Sequence, residues 1–259
     1  MLPASAFPSP ITHTTALITG AGRRIGRALA EDLGRAGWSV AVHYHHSVEE
    51  AEEVIAAVTK NGGKAAAVQA DLGDAASVSA LVPAAVKALG PLGCLINNAS
   101  IFERDDITTA TLESWDSHIA INLRAPFFLA QAFAAQVKDA DRGAMINLID
   151  ERVWHLTPHF ASYTVSKTGL WTLTQTLAMA LAPRIRVNAI GPGPTLPSPY
   201  QTQDQFNAQC ARMPLGHGTN PAEICTAVRF ILGAPAMTGQ MIALDGGQHL
   251  GWGQVATAE

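Results

Sequence analysis

The sequence predicts an α/β protein: a single doubly wound domain, residues 13–259, around a seven-stranded parallel sheet. Two observations carry this. Seven short apolar runs alternate with longer amphipathic segments from residue 14 to about 245, and strands separated by helices of that length are joined by parallel crossovers. Hydrophobic residues make up 48% of the chain and charged ones only 15%, which suits a sheet buried on both faces. No composition break marks a linker and no repeat divides the chain.

Residues 1–12 are rich in Pro and Ser, without the basic start and long apolar core of a secretory leader, and are expected to be a flexible tail. The predicted strands are 16–19, 39–44, 65–69, 94–97, 144–149, 186–190 and 241–244. Helical periodicity marks 25–36, 48–61, 77–89, 123–138 and 163–181. Gly37 fits the position just past a helix end, and Asp74 fits an N-cap. Pro83 falls inside a helical stretch, which predicts a kink or a split there. Residues 192–214 are rich in Pro, Gly, Ser and Gln, long for a connection and placed as a lid would be.

A net charge of −4 with scattered Lys and Arg disfavours a nucleic-acid or polybasic membrane surface. Cys94, Cys210 and Cys225 form no C-x-x-C pair, as expected of a reduced, cytoplasmic protein. No apolar run reaches membrane-spanning length.

Residues 19–26 read T-G-A-G-R-R-I-G between a strand and a helix. Gly20 permits a tight turn, Gly26 a close helix–strand approach, and the helix start offers free N–H groups to a pyrophosphate. An NAD site calls for an acidic residue at the end of the second strand. Here Tyr44-His45-His46-Ser47 stand there, with no carboxylate before Glu49. Arg23, His46 and Ser47 suit a 2′-phosphate instead, which favours NADPH. A metal site at these histidines is disfavoured, because neighbouring strand residues face opposite ways and no Cys or Asp sits at ligand spacing.

Tyr163 and Lys167, four apart at a helix start, share one face. The lysine ammonium is expected to lower the phenol pKa toward working pH, as a general acid or base requires. Asp150 lies thirteen residues before the tyrosine. An ionised Asp150 cannot donate to a ketone oxygen, so it suits a substrate rich in N–H donors, and Phe102 offers a flat apolar face for a bicyclic ring.

With Asp71, Asn97-Asn98-Ala99, Asn122 and Pro192-Gly193, these motifs resemble the short-chain dehydrogenases/reductases over essentially the whole folded length. The resemblance implies a Rossmann domain, a homotetramer and Tyr163 as proton donor. It also implies Lys167 on the nicotinamide ribose and Asn122 holding a water in the proton relay. Cofactor contacts are implied at Gly20, Arg23, Arg24, Ile25, Tyr44, His45, His46, Ser47, Asp71, Leu72, Asn98, Ala99, Ser100, Tyr163, Lys167, Pro192 and Gly193.

Departures from the common pattern are more telling. Arg24 replaces a glycine, Asp150 replaces the usual serine, and Ser100 is followed by Phe102. This combination is similar to the pteridine reductase branch, including bacterial dihydromonapterin reductases. In that branch Arg24, Ser100, Phe102, Asp150 and Tyr163 would touch a pterin-like substrate. Each residue also has a plainer role open to it: Asp150 as a turn residue, Phe102 as core, Arg24 as a solvated or phosphate-only side chain, Asn122 as a helix cap. Ser166 reads as incidental. The expected function is NADPH-dependent reduction of a dihydropterin. A ketone-directed carbonyl or 3-oxoacyl reductase is the enzymatic alternative, and a non-catalytic NADPH sensor the other.

Overall fold

Strands β1 (Thr15–Ile18), β2 (Ser39–Tyr44), β3 (Lys64–Gln69), β4 (Cys94–Asn97), β5 (Gly143–Leu148), β6 (Ile185–Pro192) and β7 (Met241–Leu244) form one parallel sheet in the order β3-β2-β1-β4-β5-β6-β7. The structure is a computed structural model and describes residues 11–251. Residues 1–10 of the expected tail lie outside that range. Ile11 and Thr12, also assigned to the tail, are not loose: Ile11 is buried in the core, and Thr12 exchanges hydrogen bonds with Arg142.

Eight α-helices pack around the sheet among the described residues: α1 (Arg24–Arg35), α2 (Val48–Lys60), α3 (Ala75–Leu89), α4 (Leu112–Ile119), α5 (Ala125–Gln136), α6 (Ala161–Leu181), α7 (Gln203–Ala211) and α8 (Pro221–Gly233). Because strand side chains alternate, Ala16 and Ile18 of β1 join the core under α1, α2 and α8, while Leu17 joins the one under α3, α5 and α6. Both faces are therefore apolar, and each fully buried Leu or Ile contributes about 1.5–3 kcal/mol.

Pro83 does not split α3. The helix runs unbroken through it, with Pro83 on the exposed face, where water can satisfy the carbonyl that a proline leaves unpaired. Asp74 caps α3 by accepting from Ser77 N–H at 2.8 Å, and Gly37 takes φ 83 after α1, both as expected. Helices α4, α7 and α8 were not anticipated. Local capping starts all three: capping boxes at Thr111/Ser114 and Thr202/Gln205, and Asn220 ahead of Pro221. Helix α7 turns much of the expected lid loop into regular structure. A π-helical turn, Ala120–Arg124, joins α4 to α5. Strand order reverses between β1 and β4, and the crevice past their C-terminal ends is where such sheets hold ligands.

No described helix is long and apolar enough to cross a membrane.

Candidate active site

Two adjoining cavities open at that crevice. One, about 370 Å³, is walled by Gly20, Arg23, Tyr44, His45, His46, Ser47, Asp71, Leu72 and Ala99. The other, about 300 Å³, holds Arg24, Ile25, Asn98, Phe102, Asp150, Tyr163, Lys167, Pro192 and Gly193. Ser100 lines both. Residues as far apart in the chain as Arg24 and Gly193 thus line one cavity, and Asn122 alone of the expected set sits behind the walls.

The glycine turn is clamped from two sides. His43, buried at the end of β2, accepts from Gly20 N–H on Nδ1 at 2.9 Å, and its Nε2–H donates to Ala70 O at 3.1 Å. Its backbone carbonyl also takes Ala21 N–H. Burial pushes the imidazole pKa down to about 4, so the ring is neutral, as both bonds require. From the other side, Asn98 Nδ2 donates to Thr19 O at 2.8 Å and Gly20 O at 3.2 Å. A Cβ on Gly26 would lie 2.2 Å from Gly20 O, so that glycine is required for the close approach. The first two N–H groups of the turn are thereby spent, leaving the helix start to face a phosphate.

Arg24 has φ 51, a left-handed conformation that favours glycine, which gives the substitution there a backbone cost. Its guanidinium reaches across the cleft to Pro197 O at 3.0 Å and Leu196 O at 3.4 Å, closing the far wall. Arg23 lines the first cavity while paired with Glu50 of α2.

Tyr163 OH donates to Asp150 Oδ2 at 2.9 Å, and Asp150 Oδ1 accepts Arg152 N–H at 2.8 Å. Here one expectation is corrected. The Tyr163 pKa is not lowered; burial, then the charge of Asp150 and its hydrogen bond, push it well above 10. Lys167 Nζ donates to Leu148 O at 2.8 Å and lies 5.8 Å from the Tyr163 ring centroid. Burial pushes its own pKa down to about 8. The phenol is therefore held protonated, the form a proton donor needs.

Asn122 is buried behind the cavity walls. Its Oδ1 accepts from Ser100 Oγ and Ile101 N–H, and its Nδ2 donates to Ile101 O and to Ser166 Oγ. These contacts tie the Ser100 loop to α6 through the Asn122 side chain. Ser166 is not incidental: it receives that bond and donates to Tyr163 O at 2.7 Å.

Phe102 stacks on Phe160 (centroids 4.4 Å apart, planes at 10°) and meets Tyr163 edge-on at 4.8 Å. Phe160 and Glu151 were missed from the sequence. Glu151 is buried beside Asp150, and its Oε2 has no hydrogen-bond partner among the described residues. Burial, and then the charge of Asp150, push its pKa up to about 8. Only its adjacency to Asp150 hinted at a second carboxyl.

A clamped glycine turn beside a buried tyrosine and a lysine on the same helix face is an arrangement suited to hydride and proton transfer. The family model for short chain dehydrogenases matches residues 14–207, and the chain belongs to that family. A crystal structure of FolM alternative dihydrofolate reductase 1 from Brucella canis complexed with NADP superposes with TM-score 0.92 and 44% identity, over 97% of this chain and 100% of that one. The Brucella suis counterpart, in complex with NADP, gives 0.89 and 45%, over 92% and 96%. The 3-oxoacyl-[acyl-carrier-protein] reductase FabG of Staphylococcus aureus (strain Mu50) is 34% identical over 91% of this chain and 98% of its own length.

Proposed function

We propose that the protein is an NADPH-dependent reductase that converts a dihydropterin-like substrate to the tetrahydro form by hydride transfer to a ring C=N bond. The observation that carries this is the Asp150–Tyr163 hydrogen bond facing Phe102 in the second cavity. A carboxylate there accepts from ring N–H and amino donors, whereas it repels a developing alkoxide. The 44–45% identity to the two FolM structures with NADP supports the same assignment.

The cradle fits NADPH. Gly26 leaves no room for a side chain beside the turn, and Arg23, His45, His46 and Ser47 line the cavity where a 2′-phosphate would sit, with Asp71 its one acidic lining residue. When bound, the nicotinamide supplies the hydride. The chain's own residues do the rest: Phe102 presents a stacking face, Asp150 orients the ring through its N–H groups, and Tyr163 gives its proton to the ring nitrogen. Lys167, cationic below about pH 8, stands near enough to favour the resulting phenolate.

NADPH oxidation with a 7,8-dihydropterin, wild type beside Asp150→Ser, tests the assignment. The mutant is expected to lose about 100-fold or more in kcat/KM. A wild type with no dihydropterin turnover removes the substrate. The FabG similarity favours one second reading, a 3-oxoacyl reductase; ketone turnover that survives Asp150→Ala would establish it.

His43→Phe should weaken NADPH binding without changing kcat at saturating cofactor. The substitution leaves Gly20 N–H without its acceptor, a loss of about 1–3 kcal/mol, or roughly 5- to 150-fold in Kd. A fluorescence titration with NADPH reads this directly, and an unchanged Kd would show that the ring does not hold the turn.

A further inference from the structure

Behind the cleft, Asp105, Ser162 and His118 meet with side chains of the kinds that elsewhere form a nucleophilic triad, but with 3%, 0% and 0% exposure. No substrate atom can reach them, and the serine lies in the middle. Ser162 Oγ–H donates to Asp105 Oδ2, and His118 Nδ1–H approaches Ser162 Oγ at 2.7 Å. His118 Nε2 accepts from Glu103 N–H at 3.3 Å, which leaves the ring proton on Nδ1, facing Ser162 Oγ and Ser114 O. Asp105 Oδ1 takes Ser162 N–H at 3.1 Å, and its backbone carbonyl takes Ala161 N–H at 3.0 Å. Burial raises the Asp105 pKa, but hydrogen bonds from Ser162 and Ser114 outweigh it and the net shift is down, so the carboxyl is ionised.

The consequence is positional. Helix α6 opens after Phe160, a non-glycine residue at φ 60 with no side-chain cap of its own. The unpaired N–H groups of a helix start need acceptors, and Asp105 supplies two from the loop after β4. That same loop carries Ser100 and Phe102, and the helix it caps carries Tyr163 directly after Ser162. Glu103, on the loop too, is tied through His118 to α4.

We propose that Asp105, with Ser162 and His118, is a positioning unit that fixes the Phe102 loop to the start of the Tyr163 helix and so sets the position of the Phe102 ring relative to the Tyr163 hydroxyl. What binds beside that pair rests on the dihydropterin proposal above; the tie itself does not.

Amide hydrogen exchange across residues 100–106 and 160–166, with steady-state kinetics, tests this in wild type, Asp105→Ala, Asp105→Asn and Ser162→Ala. In the alanine variants both segments should lose protection together. Their kcat/KM for the dihydropterin should fall by about 10- to 100-fold, the scale of an ångström of misplacement, with KM for NADPH unchanged. Asp105→Asn keeps an oxygen for Ser162 N–H and should recover part of the loss. Ser162→Ala removes only a hydroxyl and reads the tie even if Asp105→Ala does not fold. Exchange that rises in one segment alone, or matches wild type, overturns the proposal, as does a KM for NADPH that moves in step. Exchange needs no turnover, so a protein inactive on dihydropterins loses the substrate assignment while the tie is still decided.

Discussion

Tyr163→Phe is expected to lower kcat by about 10²- to 10⁴-fold, the contribution of a positioned general acid, with little change in NADPH affinity. The phenol is buried, donates to Asp150 at 2.9 Å and is held protonated by burial and by the carboxylate beside it. Phenylalanine keeps the ring, and with it the edge contact to Phe102 at 4.8 Å, so packing survives while the proton is lost. Glycine-turn contacts lie on other elements and are untouched. Single-turnover measurement of NADPH oxidation, beside a binding titration, separates the two effects. A kcat within about threefold of wild type, far short of the general-acid range, would move the proton donor elsewhere.

Glu151→Gln should stabilise the protein above neutral pH by a few kcal/mol, because each unit of pKa displacement is worth about 1.36 kcal/mol. In the folded state the carboxyl pKa is pushed from 4.5 up to about 8, first by burial and then by Asp150. Between those values the folded chain keeps a proton that the unfolded chain releases, so stability falls as pH rises through that window. Glutamine has no proton to lose and removes the slope. Denaturant unfolding at pH 5 should find the two proteins within about 1 kcal/mol, and at pH 8.5 the variant should be the more stable. Equal stability at both values would mean that Glu151 is ionised without cost. Once ionised, Glu151 adds a second negative charge beside Asp150 and pushes the Tyr163 pKa further up.

Much of the fold and of the site was legible from residue order. Alternation of apolar strands with periodic segments located all seven strands to within two residues at each end, because burial on both faces imposes unbroken apolar runs. The turn at 19–26, the Tyr163/Lys167 pair and the anomalous Asp150 and Phe102 marked the two cavities that the structure brings together. These are local signals, set by spacing along one strand end or one helix face. The short helices α4 and α7 escaped because caps, not a long apolar stripe, define them. Other features belonged to the tertiary structure alone. Asp105 caps a helix 57 positions away, Asn122 ties the Ser100 loop to α6, and the phenol pKa rises where Lys167 had been expected to lower it. The physical reason is common to all three: hydrogen-bond partners and the cost of charge depend on which elements pack together and how much water they exclude, and nothing in a linear spacing records that.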